Sequence, residues 1–486
     1  MRGNENAFPA QLRSAVEKNF VAASRLATAQ FRLDATAFLS QDHLSAVMPG
    51  TFKAQQLSQL ADVFTVYIQS PVLAYVPPFP RSRPYMTTSE LAEYQTGPTV
   101  HVSLTADPRL FDWQIKQGSI VVSRSGRVGE AYWVDKKLDG ALVGDSFRVV
   151  PKNPTDGPFI YAVLASSFAR SFLSGSAYGS VVDHASLDQL RRFPIPQLAT
   201  TATSKISEAI TKGLAARERA YDLLDEAQLL VLQSCGLASL NGDTGSTRNG
   251  HVTKVIVNSS EIIQAAPGHS EFRLDAHFHN PMARNVIANI QNCPSRKRNV
   301  GQLTERVFFC NRFARTFVEA EHGIPYLAGK NIVQVRPRIE HYLSISQTQE
   351  LEDYKLRREW TLITCSGTIG RTCFVWRNFE KFVATHDLIR VIANDSEADP
   401  AYLYAFLSSP YGYEQILRFR HGSVIDHVTP EQVAQVIVPL PSRSQQKEIG
   451  DKVRLAYENR AEALKLEDEA QQIMMREIDR KAVKET

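Results

Sequence analysis

The 486-residue chain repeats itself at an interval of 241 to 243 residues. Phe31-Arg32-Leu33-Asp34-Ala35 returns as Phe272-Arg273-Leu274-Asp275-Ala276, and Pro84-Tyr85-Met86 as Pro325-Tyr326-Leu327. Ser125-Gly126-Arg127-Val128-Gly129 returns as Ser366-Gly367-Thr368-Ile369-Gly370. Gly179-Ser180-Val181-Val182-Asp183-His184 returns as Gly422-Ser423-Val424-Ile425-Asp426-His427. A period this long specifies two whole domains, because solenoid repeats run to roughly 20–50 residues. The near-constant interval leaves room for few or balanced insertions. Two similar domains with divergent interiors suit a protein that grips two related but different things.

Each half has the same layout: a mixed region of short strands and turns, then a long helical segment. Pro194 and Pro196 block regular structure before the first helix, which is proline-free from Thr203 to about Leu237. Its apolar residues Ile206, Ile210, Leu214, Leu223, Leu224, Leu230 and Val231 recur near helical spacing. Pro439 and Pro441 likewise precede a helix from about Gln445 to Lys481, striped by Ile449, Val453, Ala456, Leu464, Ala470, Ile473 and Ile478. Narrow stripes ringed by charge belong to helices that pack along one seam, and the two helices are each other's simplest partner, the alternative being two independent surface helices on their own domains. At 1.5 Å per residue, 35 residues span roughly 50 Å, enough to hold two domains apart. The expected division is domain 1 over 1–200, a central helix over 201–238, domain 2 with its N-terminal linker over 239–442, and a distal helix over 443–486. Ser239 to Gly250 has the Gly, Asn, Ser and Asp content of an exposed linker. Before the repeat, Gln11 to Gln30 has helical spacing, whereas His251 to Ile263 is closer to strand.

Hydrophobic content of 43% and charged content of 22% are those of globular protein. A net charge of +4 permits nucleic-acid binding without requiring it. Cys235, Cys293, Cys310, Cys365 and Cys373 form no CxxC pair, so they are expected as reduced thiols rather than disulfides or zinc ligands. Residues 1–6 have no apolar h-region behind them, and no apolar run approaches the roughly 20 residues of a membrane helix. These features predict a soluble, cytoplasmic protein.

The two Ser-Gly-x-x-Gly segments lie between strand-like runs, Ile120–Val122 and Tyr132–Val134 in one half, Leu362–Ile363 and Cys373–Val375 in the other. Glycines three apart, with Ser125 and Ser366 beside Gly126, Gly129, Gly367 and Gly370, fit a tight turn with positive φ. Arg124, Arg127 and Arg371 flank these turns, suited to DNA phosphates or a guanine edge; the glycines serve a strand turn equally well. Further basic and aromatic groups are Arg81, Arg83 and Tyr85 in a proline-broken loop, then Arg296-Lys297-Arg298, Arg312, Arg315, Lys330, Arg336 and Arg338. Arg418, Arg420 and His421 precede Gly422. Such clusters suit groove and backbone contacts, although a single arginine is more often a solvated surface group.

Catalytic patterns are missing. There is no GxxxxGK[ST] and no HExxH. Val76-Pro77-Pro78-Phe79 mimics an amino-methyltransferase tetrapeptide, but valine cannot accept hydrogen bonds from a target amino group. His277 and His279 alternate as strand residues would, with no third metal ligand in sight. Asp387 and Glu397 near Arg390 match a nuclease pattern only at the level of chance.

The second half carries Gly323-Ile324-Pro325-Tyr326-Leu327-Ala328-Gly329-Lys330-Asn331-Ile332, then Ser366-Gly367-Thr368-Ile369-Gly370-Arg371, Gly422-Ser423, and Val438-Pro439-Leu440-Pro441 leading to Gln446 and Ile449. In that order these segments resemble the DNA specificity subunits of type I restriction–modification enzymes or of a related methylation-linked phage-defence system. Asn331 belongs to the segment that carries the resemblance. The first half lacks a clear equivalent of Gly329–Ile332 and of the glutamine pair Gln445-Gln446.

The resemblance implies an α+β fold with two tandem target-recognition domains separated by two long helices in an antiparallel coiled coil. It implies a non-catalytic chain that recognises a bipartite duplex DNA site and binds no cofactor. Its partners would be two methyltransferase subunits that bring S-adenosylmethionine, joined in some systems by a motor-nuclease subunit. Two other readings stay open: a stand-alone tandem module for RNA or protein partners, and a cryptic nuclease or methyltransferase.

Overall fold

The structure, a computed structural model, describes residues 53–68, 75–76, 78–94, 100–175, 184–240, 275–348, 351–377 and 379–485. The expectations for Gln11–Gln30, Phe31–Ala35, Gly179–Asp183, residues 241–250, His251–Ile263 and Phe272–Leu274 fall outside these residues.

The first lobe contains β1 (Ala54–Gln56), β2 (Ala61–Val66), β3 (Tyr75–Val76), β4 (Ser82–Met86), β5 (Val100–Ser103), β6 (Ile120–Ser123), β7 (Ala131–Trp133), β8 (Leu142–Val143), β9 (Ser146–Pro151) and β10 (Pro194–Pro196). The second contains β11 (Arg296–Asn299), β12 (Thr304–Phe308), β13 (Phe317–Val318), β14 (Gly323–Leu327), β15 (His341–Ser344), β16 (Thr361–Thr364), β17 (Thr372–Phe374), β18 (Val383–Ala384), β19 (Leu388–Ala393) and β20 (Ile437–Leu440). Strand order repeats as well. β2-β9-β6-β7 is matched by β12-β19-β16-β17, β3-β5-β4-β8 by β13-β15-β14-β18, and β1-β10 by β11-β20. Even a parallel pairing in each lobe repeats between the halves, β4 with β8 and β14 with β18.

Three of the four prolines that were expected to forbid regular structure sit inside strands. Pro194 and Pro196 flank Ile195 in β10, and Pro439 lies in β20. Each belongs to a two-stranded sheet, where a residue without an N–H is tolerated because one side of the strand needs no donor. Arg83 and Tyr85, assigned to a loop, likewise lie on β4 with Pro84 between them.

A buried arginine ties the two four-stranded sheets of each lobe together. Arg148 on β9 donates to the Val143 carbonyl at the end of β8, 2.9 Å away. Its counterpart Arg390 on β19 donates to Leu388 (2.9 Å) and to Ala384 at the end of β18 (3.1 Å). Desolvation holds the Arg148 guanidinium down to about 9.

The central helix spans Thr200–Cys235 and ends at Gly236, whose φ of 67° supplies the left-handed cap. The distal helix spans Arg443–Glu485. They run antiparallel: Arg217 pairs with Glu467, while farther along Glu226 accepts from Lys452 at 2.7 Å. Gly213 permits the closest approach, since a Cβ there would lie 3.2 Å from the Ala463 carbonyl oxygen. The first lobe packs on Ile206, Ile210, Leu214, Ala470, Met474 and Ile478. The second packs on Leu223 through Cys235 and on Ile449 through Tyr457, so the lobes occupy opposite ends of the helix pair.

They are not wholly separated, contrary to the expectation from helix length. The Tyr94 N–H donates to Val333 at 2.7 Å and the Val335 N–H to Ala92 at 2.6 Å. Residues 92–94 and 333–335 are equivalent at the repeat interval of 241, and they pair antiparallel across Glu93 and Gln334. A local two-fold axis therefore passes between these residues. Any contact on that axis is made by both halves at once, which is why the lobes touch there.

Candidate nucleic-acid interface

In each lobe the Ser-Gly-x-x-Gly turn leaves one central strand and enters the sheet-edge strand beside it. The Gly129 N–H donates to the Ser123 carbonyl (3.0 Å), and Gly370 to Thr364 (2.9 Å). The hydroxyl at the strand end closes the other side, accepting from the Glu130 N–H in one lobe and the Arg371 N–H in the other, both at 2.9 Å. Gly126, Gly129, Gly367 and Gly370 all have φ between 69° and 83°, where a side chain is strained. A Cβ at Gly129 would also meet Leu173 at 2.9 Å, and one at Gly370 would meet Tyr413 at 3.1 Å. Nothing lies within 4 Å of a Cβ at Gly126 or Gly367, so those two are needed for conformation alone.

The second repeated motif folds onto the first. His184 bridges to Ser125, and His427 bridges to Ser366. The Gly367 N–H donates to Asp426 (3.0 Å), the Val428 N–H to Cys365 (3.0 Å), and the Ala185 N–H to Arg124 (2.9 Å). Ser366 Oγ and His427 Nδ1 are 3.0 Å apart. In the second lobe the two motifs, about 55 residues apart, thus make one site, and in the first His184 meets the turn at Ser125 in the same way. In the second lobe the closing loop carries Val424, 94% exposed, and Ile425, 53% exposed.

The charged groups divide into those at these turns and those used elsewhere. Arg124 sits at the first turn, pairs with Asp145 at 2.6 Å and lies over the half-exposed Tyr67 ring. Arg420, at the second, lies 3.8 Å from Asp426 and against His277. His421 exchanges backbone hydrogen bonds with His427. Arg312 and Arg315 are exposed, and Arg315 reaches His386 at 3.4 Å, near the end of β16. Burial, with Arg315 and Arg312 adding like charge, holds His386 below its ordinary value. Arg81 is exposed before β4.

Other candidates serve the architecture. Arg83 donates to Gln114 and to two carbonyls, and Tyr85 packs against Gly144. Asn331 is buried, capping the turn Gly329–Asn331 and donating to the Arg338 carbonyl at 2.9 Å. Lys330 pairs with Glu340 at 2.8 Å. Arg336 is drawn to the distal helix by Glu467 (2.9 Å) and Asp468 (2.6 Å). Arg338 crosses to Glu130 of the first lobe at 3.0 Å, and Arg371 crosses to Glu93. Arg127 faces Glu130 at 3.9 Å. Arg418 stacks 3.8 Å from the Phe278 ring and donates to its carbonyl.

Two weaker readings are corrected, and the nuclease pattern that matched only by chance stays unassembled. His277 and His279 lie in a turn rather than a strand, with His279 buried on Phe278. Glu397 pairs with Arg298 at 3.7 Å, and Arg390 is buried on carbonyls, so the Asp387–Glu397–Arg390 grouping does not assemble. The first half does have an equivalent of Gly329–Ile332: the capped turn Thr88–Leu91, which likewise leads into the two-fold contact. Among the described residues, no three His, Cys, Asp or Glu side chains gather as a metal site. No helix there is long and apolar enough to cross a membrane.

In each lobe a glycine turn is thus bridged to a histidine, His184 or His427, with an arginine–aspartate pair beside it. Residues 315–466, within the second lobe and the distal helix, match the family model described as the type I restriction modification DNA specificity domain. Similar solved structures include the type I restriction-modification S subunit from M. genitalium, at 13% identity and TM-score 0.35, covering 88% of this chain and 96% of that one. Another is the HsdS subunit from Thermoanaerobacter tengcongensis, at 14% identity and TM-score 0.28, with 88% and 96% covered. No curated protein matches the chain.

Proposed function

We propose that the chain is a sequence-specificity subunit that reads a split address on duplex DNA, one half-site per lobe. The observation that carries this is the repetition of one turn-and-loop site on two lobes at opposite ends of an antiparallel helix pair. A two-fold arrangement of readers suits a two-part duplex site, because groove positions recur about every 34–36 Å along the DNA. Arg124, Arg312, Arg315, Arg420 and His421 are the groups we assign to phosphate or base contact. The helix pair sets the gap between half-sites. In this reading the chain recruits two methyltransferase subunits, on which S-adenosylmethionine binds and adenine is flipped from the stack. A motor-nuclease subunit can join for restriction.

The test is binding of the purified chain, with and without partner methyltransferase, to duplex DNA at several salt concentrations against competitor RNA. Log affinity should fall linearly with log salt, by about 0.9 per phosphate neutralised, and RNA should compete poorly. RNA competing as well as duplex, or methyl transfer by the isolated chain, sinks the proposal.

A further inference from the structure

The two-fold axis makes each half a control for the other. In the second half, Arg460 is buried among rings, with its guanidinium carbon 4.5 Å from Tyr94, 5.2 Å from Phe379 and 5.4 Å from Tyr457. The equivalent arginine is Arg217, and the equivalents of those three rings are Val335, Leu138 and Leu214. Each is smaller. Space filled by aromatic rings in one half is left open in the other, as a cavity of about 560 Å³ where both lobes and both helices meet. Its walls include Trp133, Tyr161 and Tyr221, with Trp133 and Tyr161 edge-to-face at 5.9 Å.

The same half also differs in its charged groups, with Glu130, Asp135 and Glu467 standing where the other half has Arg371, Trp376 and Leu224. Arg170 stands where the other half has Tyr413, Arg127 where it has Thr368, and Arg338 where it has Gly97. All three line the cavity, and two of them share the carboxylate of Glu130, which lies 3.0 Å from Arg338 and 3.9 Å from Arg127. The Arg170 guanidinium is half-buried and has no ion-pair partner within 4 Å among the described residues. Burial and the like charge of Arg338 and Arg336 weaken its hold on its proton, a state that a bound anion relieves. Divergence has thus left a hole in which one half-buried guanidinium, Arg170, faces the open space without an ion-pair partner among the described residues. Its volume lies within the range of small-molecule sites.

We propose that this cavity binds a small anion carrying a flat ring, of the nucleoside monophosphate class. The ring packs against Trp133 and Tyr161, and the anionic group sits at Arg170 and Arg127. An occupant there bridges the first lobe to the arm of the second that carries Val335 and Arg338. The inference does not depend on the DNA-reading proposal.

The test is isothermal titration of the full chain with AMP, adenosine and inorganic phosphate, alongside tryptophan fluorescence. AMP should bind saturably and change the fluorescence, with adenosine and phosphate each at least tenfold weaker. Val335→Tyr with Leu138→Phe refills the space with the other half's own residues and should lower AMP affinity at least tenfold. Arg170→Met should weaken AMP at least fivefold and leave adenosine unchanged, which keeps the test open if the double variant misfolds. Absence of saturable AMP binding below millimolar overturns the proposal. So does a well-folded refilled variant that binds as the parent does, or a cavity occupied only by a partner polypeptide. Duplex binding measured on the same preparations separates the two readings, because lost DNA binding with retained AMP binding removes only the first.

Discussion

Glu467 offers the sharpest test of the helix pair. It is buried on the distal helix with only 7% of its side chain exposed, and it holds two guanidinium groups: Arg217 from the central helix, itself 10% exposed, and Arg336 from the second lobe. Glu467→Met removes the ion pair of the buried Arg217 and leaves it only the more distant Asp135 carboxylate. Losing one partner of a buried pair costs about 3–5 kcal/mol. Arg217→Met is milder, because Glu467 retains Arg336 at 2.9 Å, and about 2–3 kcal/mol is expected. The double variant replaces the pair with apolar groups and should recover to within about 2 kcal/mol of the parent. Urea unfolding followed by far-ultraviolet circular dichroism measures all four corners of the cycle. At about 2 °C per kcal/mol, Glu467→Met should lower Tm by about 6–10 °C. A Glu467→Met protein within about 1 kcal/mol of the parent, or a double variant less stable than both singles, would refute the argument.

Gly367→Ala forces a positive φ on an L-residue with nothing nearby, at about 1–2 kcal/mol. Gly370→Ala should cost more because it also meets Tyr413 at 3.1 Å; thermal melts of the two variants check the order. All five cysteines are buried, and burial pushes the Cys365 thiol up to about 12 and Cys235 to about 11. Ellman's reagent should therefore find fewer than one reactive thiol per native chain and five after denaturation. Removing seven facing residues from both long helices shortens the pair by about 10 Å, or roughly three base pairs at 3.4 Å each. The preferred gap should contract while both half-sites stay unchanged, as read by binding to a library of spaced sites.

The sequence made the duplication, the paired helices and the glycine turns legible, because each leaves a local mark: an interval, an apolar stripe, or a small-residue spacing. Ile206, Ile210, Leu223, Val231, Ile449, Val453 and Ile478 are all buried in the fold. What sequence alone missed depends on contacts between distant segments. Nothing local marks Arg371 as the partner of Glu93 or Arg336 as the partner of Glu467, and both look like free surface cations. The histidines His184 and His427 were present in the repeat itself. Their return at a fixed offset beside a serine-glycine turn was the available clue. The contact between 92–94 and 333–335 was hidden because neither sequence stands out; it follows from the axis rather than from any residue type.

The most direct test is to map methylated adenines across a genome with the intact gene, with the gene deleted, and with each lobe's turn disabled by Gly126→Ala or Gly367→Ala. A two-part motif with a constant gap should vanish on deletion, and each glycine variant should relax one half of it and leave the other intact. A continuous motif, or modification that persists without the gene, would contradict the account.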